Sequence, residues 1–155
     1  MFQTLLEKIC DIMDHVAIMN KQWKLIPKIL SKEKTIETRW YLTRRDPWNK
    51  VMQGDTVYFK DAASPVTARA IVDKVLQYDH YSENQLKEII DEYWCKGYID
   101  FSSKAEALEY TKDKNYCILI FLKNPEQVKP FDINKKGFGN ATAWLCVNNI
   151  NKIKM

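Results

Sequence analysis

The stretch KILSKEKTIETRW, Lys28 to Trp40, changes character in its middle. Its first half continues LIPKILSKE, a short helix with Pro27 near the first turn, where proline's missing N–H leaves no helical hydrogen bond unmade. Its second half, TIETRW, is rich in β-branched residues and alternates like a strand. Thr35, Glu37 and Arg39 fall on one face, and Ile36, Thr38 and Trp40 on the other. Lys34 stands at the junction. A short helix handing a charged strand into a run of further strands is the unit from which the rest is built.

Working outward, Gly54–Asp55 marks a turn and TVYFK reads as a strand. VTARAIV sets Val66, Ala68, Ala70 and Val72 against Thr67, Arg69 and Ile71, as a half-buried strand requires. Ser82 with Gln85, and Ser103 with Glu106, are capping boxes that open two helices, the first carrying Leu86, Ile89 and Ile90 on one face. YCILIFL, Tyr116 to Leu122, is a continuous apolar run of the central-strand kind. VAIM near the start and TAWLCV near the end are further strand candidates, and Phe2, Leu5, Leu6, Ile9, Ile12 and Met13 predict an amphipathic helix over residues 2–13. Five or six short strands without a βαβ rhythm predict an α+β fold, a small mixed barrel with flanking helices. The economical organisation is one domain over residues 1–155, with a helical extension at 1–14 and a two-helix insert at 80–112.

The chain has 155 residues, enough to bury a core without metals or disulfides. No apolar run approaches the roughly 20 residues of a membrane span, and MFQTLLEKICDIMDH is broken by charges where a signal peptide would be apolar. Cys10, Cys95, Cys117 and Cys146 form no CxxC pair, and His15 and His80 sit far from them, so neither a metal nor a cofactor is expected. These features predict a reducing, cytoplasmic setting. Residues 1–60 hold 11 Lys/Arg against 7 Asp/Glu and residues 114–155 hold 7 against 2, while residues 73–113 hold 5 against 10. Two basic segments therefore flank an acidic one. Brought together they make a face that attracts anions; kept apart they simply keep the surface soluble.

Three stretches carry candidate chemistry. In TIETR, Glu37 and Arg39 emerge in one direction beside Lys34, lining a cleft wall or a solvated strand face. In RWYLTRRDPW, three of the chain's four arginines gather near Trp40, Tyr41 and Trp48. Arginine forms bidentate phosphate contacts and stacks on rings, so Arg44, Arg45 and Trp48 are candidates for RNA contact, whereas Trp40 reads as core. In NKKGFGN, Lys135 and Lys136 adjoin glycines that let a backbone approach a phosphate, although an ordinary hairpin has the same composition. Phe138 and Trp144 flank this loop and either can close the rim of a pocket. No GxSxG or HExxH motif occurs; if there is catalysis, Lys34 and Glu37 are the acid–base pair.

KILSKEKTIETRW, GDTVYF, VTARAIVDKV and YCILIFL together resemble the ASCH domain family, over roughly residues 15–150. That family is a small β-barrel related to the PUA domains, which bind RNA. Against its signature GxKxxExR the chain has Lys32 in the glycine's place, then Lys34, Glu37 and Arg39. The resemblance implies a PUA-like barrel whose charged cleft holds RNA or a nucleotide, modified ones included, and it names no protein partner. Some members deacetylate N4-acetylcytidine with a lysine, a threonine and a glutamate, and others have been proposed as ribonucleases. Lys34 falls on that lysine, but Glu37 occupies the threonine's place, which leaves a hydrolase as the alternative to a binding module.

Overall fold

The computed structural model describes residues 12–94, 101, 103–139 and 141–155. The helix expected over residues 2–13 lies outside them, apart from Ile12 and Met13, which lead directly into the first strand. The elements are β1 (Asp14–Met19), α1 (Leu25–Leu30), β2 (Ile36–Tyr41), β3 (Thr56–Asp61), β4 (Val66–Asp79), α2 (Glu83–Trp94), α3 (Lys104–Thr111), β5 (Tyr116–Phe131) and β6 (Trp144–Asn148). Single 3-10 turns stand at Lys21–Trp23 and Ile150–Lys152.

The strands form one mixed sheet in the order β2-β5-β4-β3-β1-β6, with β1 and β3 parallel and the other pairs antiparallel. β4 and β5 are not short: they run for 14 and 16 residues. β4 keeps apolar residues along its length, with Val75, Leu76 and Tyr78 packed against the cores, whereas the apolar run of β5 ends at Leu122. Beyond it β5 continues as a polar arm, paired from Lys123 to Phe131 with the first half of β4. Register shifts between Val66 and Ala68, Arg69 and Ile71, and Val72 and Lys74 interrupt this long ladder. Each bulge bends its strand and adds right-handed twist, so the sheet curls into a half-barrel. The curl turns the two ends of the strand order toward each other, and Arg39 of β2 donates from Nη1 to the Ala143 carbonyl beside β6 at 3.3 Å.

Three apolar clusters fill the fold. Inside the half-barrel lie Ala17, Ile29, Phe59, Ala70, Ile118 and Trp144. Outside it, α2 and α3 press Leu86, Ile89, Ile90 and Ala107 onto Ile36, Trp40, Cys117 and Leu119. The third gathers Val16, Tyr58, Leu145 and Ile150. Alternate residues of β5 thus serve two cores, and a strand buried on both faces needs an unbroken apolar run, as in YCILIFL. The first capping box forms in full: the Ser82 amide donates to Gln85 Oε1 at 3.0 Å and the Gln85 amide to Ser82 Oγ at 3.1 Å. The Glu106 amide likewise donates to Ser103 Oγ at 3.1 Å. No helix among the described residues is long and apolar enough to cross a membrane.

Candidate nucleic-acid interface

The end of α1 sets the position of Lys34. The Ser31 amide donates to the Pro27 carbonyl at 2.9 Å, Lys32 to Ile29 at 3.1 Å and Lys34 to Lys28 at 3.0 Å. This termination places Lys32 at φ +68°, the left-handed region where glycine is favoured and a side chain is strained. Lys34 then turns inward. Its Nζ donates to the Ile36 carbonyl at 2.6 Å and lies 3.7 Å from Glu37 Oε2. Glu37 Oε1 is 3.3 Å from Arg39 Nε. Lys34 and Glu37 are each only 5% exposed, so this strand face is an interior wall rather than a solvated one.

Arg39 joins the wall to the opposite side of the seam. Besides the Ala143 carbonyl, its guanidinium reaches Met19 Sδ at 3.6 Å and lies over the Trp144 ring, 5.2 Å from the centroid. Trp144 is itself fixed from behind, donating from Nε1 to His15 Nδ1 at 3.1 Å. With Nδ1 accepting, His15 donates from Nε2 to Asp55 Oδ2 at 2.7 Å. Asp55 also accepts from the Met13 and Met52 amides at 3.0 and 2.9 Å. A chain of directed contacts therefore runs from a buried turn to the charged wall. The wall is not fully satisfied. Glu37 Oε2, Arg39 Nε and Trp40 Nε1 are all buried with no hydrogen-bond partner.

Lys34, Glu37 and Arg39 line one cleft of about 250 Å³ at the open seam of the half-barrel. Its other walls come from Trp23 in the 3-10 turn after β1, from Phe101, and from Tyr110 on α3. Thr38 also lines this cleft, whereas Thr35 borders a separate cavity against β5. Tyr41 and Ala143 form the lip between the cleft and an open groove of about 630 Å³, lined by Arg45, Asp46, Gly137, Phe138 and Gly139. Burial raises the Tyr41 hydroxyl above its ordinary pKa, against the pull of Arg39, so the lip carries a neutral phenol. Lys135 and Lys136 border the next hollow and share Gly137 and Gly139 with the groove.

The expected residues divide accordingly. Lys34, Glu37 and Arg39 converge; Arg45 follows on the groove, and Lys135 and Lys136 continue beyond it. Arg44 is exposed and lies over the Tyr116 ring at 5.8 Å. Asp46 is paired with Lys50 at 2.7 Å, and no ion pair among the described residues takes up Arg44, Arg45, Lys135 or Lys136. Trp48 presents no free platform: its ring packs edge-on against Tyr116 at 5.1 Å and onto the inner core. Trp40 is buried under the helices. Trp144, a rim candidate from sequence, lies 1% exposed beneath Arg39. Among the described residues no group of His, Cys, Asp and Glu comes together to hold a metal.

Sequence reading missed Trp23, Phe101 and Tyr110. They lie far from TIETR in the sequence, and only the curl of the sheet brings positions 23, 37, 110 and 143 together.

No family model and no curated protein matches the sequence. Three solved structures of the ASCH protein from Zymomonas mobilis match the fold. The unsubstituted protein is 15% identical with a TM-score of 0.62, covering 87% of this chain and 87% of that one. A tyrosine-to-phenylalanine variant is 14% identical at a TM-score of 0.64, covering 90% and 94%, and a serine-to-alanine variant is 15% identical at 0.64, covering 92% and 93%. With the six-stranded half-barrel and its helices, this likeness gives the chain the fold of an ASCH domain.

Proposed function

We propose that the protein is a nucleic-acid-binding module that takes RNA, holding phosphates along a basic groove and a nucleotide in the Lys34/Glu37/Arg39 cleft. The observation that carries this reading is continuity: the charged cleft and the Arg45 groove share the lip of Tyr41 and Ala143, and Lys135 and Lys136 extend the same path. Unpaired cations along one path give a polyanion favourable contacts at successive charges. Buried donors and an acceptor at the head of that path give polar recognition of one residue of the polymer. The ASCH fold supports the same assignment through that family's kinship with RNA-binding domains. The helices at 80–112 are in this reading an insert on the barrel. A cytoplasmic setting belongs to the same reading.

The test is binding of single-stranded and of structured RNA at low salt, followed by anisotropy. The wild type binds, and Arg44→Ala with Arg45→Ala weakens binding to all sequences alike; absence of binding, or indifference to that double substitution, refutes the proposal.

A second reading, a hydrolase of acylated nucleosides or RNA, is favoured by one observation: Thr38 lines the same cleft as Lys34. It predicts that Lys34→Ala ends turnover while the fold survives, and it fails if no acylated nucleoside or RNA in a panel is turned over by the wild type.

A further inference from the structure

Two large aromatic side chains stand exposed in the lining of this cleft. Trp23 is 51% exposed and Tyr110 is 48% exposed, although most aromatic rings of this chain are packed into its three cores. A scattered exposed aromatic is ordinary; two on the walls of one 250 Å³ concavity, with Phe101 beside Tyr110 at 5.5 Å, are not scattered. The same lining holds Glu37, 5% exposed, whose Oε2 lies 3.7 Å from Lys34 Nζ and has no hydrogen-bond partner. Buried carboxylate oxygens are nearly always hydrogen-bonded, so an N–H donor brought to this oxygen satisfies a real deficit. The volume is decisive for size. Pockets for drug-sized ligands run from about 300 Å³ upward, so this one takes a single ring system and excludes a duplex.

We propose that the cleft holds one unpaired nucleobase, stacked against Trp23 and Tyr110, with an N–H of its edge donated to Glu37 Oε2. The inference rests on the nucleic-acid reading above and adds its occupant. Trp23 and Tyr110 are the platforms, Glu37 reads the edge, and Arg39, which is held over Trp144, positions Glu37. The groove lined by Arg45 then takes the neighbouring phosphates, since it opens from the same lip.

The experiment uses the full chain and two probes: a single-stranded oligoribonucleotide of mixed sequence, and a chain of equal length and charge with abasic sugars throughout. Stacking on an aromatic side chain predicts that the abasic probe binds the wild type about 5- to 150-fold more weakly than the natural one. Trp23→Ala with Tyr110→Ala weakens binding of the natural probe about 5-fold or more, narrowing that difference to what the Glu37 contact supplies, and leaves abasic binding unchanged. Both rings are half exposed, so the doubly substituted protein folds, which circular dichroism checks independently. Equal binding of the two probes by the wild type overturns the inference while leaving the nucleic-acid reading intact. So does a base-dependent difference that the double substitution leaves undiminished. Failure of both probes to bind at low salt overturns the two together.

Discussion

Replacing Glu37 by glutamine removes one charge and changes almost no volume, so its effect on stability isolates the electrostatics of the cleft wall. The carboxylate faces Lys34 at 3.7 Å and Arg39 at 3.3 Å. At an effective dielectric of about 20 these separations correspond to gross attractions of about 4.5 and about 5 kcal/mol. Relief of the buried carboxylate's desolvation offsets several kcal/mol of that sum, and what remains for removing one partner of a buried pair is about 3–5 kcal/mol. Glutamine also leaves two cations facing each other without a counter-charge. The expectation for Glu37→Gln is therefore a loss of about 3 kcal/mol, read as a lower urea midpoint at unchanged slope. For a chain of this length the corresponding fall in Tm is about 6–12 °C. A loss below about 1 kcal/mol, the range of solvent-exposed ion pairs, would refute the claim that this wall is buried and electrostatically coupled.

Lys32→Gly removes the side chain from a left-handed position, φ +68°, at the end of α1, and stabilises the protein by about 1 kcal/mol in urea unfolding. Asp55→Ala strips the partner from the Met13 and Met52 amides and from His15 Nε2, lowering stability by about 3 kcal/mol or more in the same assay. Burial pushes the Cys146 thiol up to about 12 and raises Cys117 further still. At pH 8 the Cys146 thiolate fraction is then on the order of 10⁻⁴, so site-resolved mass spectrometry should find both thiols unalkylated by iodoacetamide until the protein is unfolded.

Much of the architecture is legible from local rules. The capping serines, the two-residue period of TIETRW and VTARAIV, and the apolar run of β5 each reflect an interaction within a few residues or the burial of a whole strand. The polar arm of β5 is not legible, because much of it stays in solvent and it carries no two-residue apolar period. Alternation assigns Glu37 and Arg39 to one face of β2 but does not say that this face points inward. Ile36 and Trp40 look like the core face, and they are one, beneath α2 and α3. A second core on the other side of the same strand follows only from the curl of the sheet. The exposed walls of the cleft escape for the same reason: Trp23 and Tyr110 meet through a seam that the chain order does not encode. The left-handed Lys32 is the opposite case, since its place in the helix-ending pattern is visible in the sequence while its strain is visible only in φ.

The central claim is that an unpaired basic path leads nucleic acid into the cleft, and the salt dependence of RNA binding measures it most directly. If Arg44, Arg45, Lys135 and Lys136 each meet a phosphate of single-stranded RNA, the logarithm of the binding constant falls against the logarithm of salt concentration with a slope of about −3. Arg44→Ala with Arg45→Ala then makes that slope shallower by about 1.4. A slope near zero, or one that the double substitution leaves unchanged, contradicts the account.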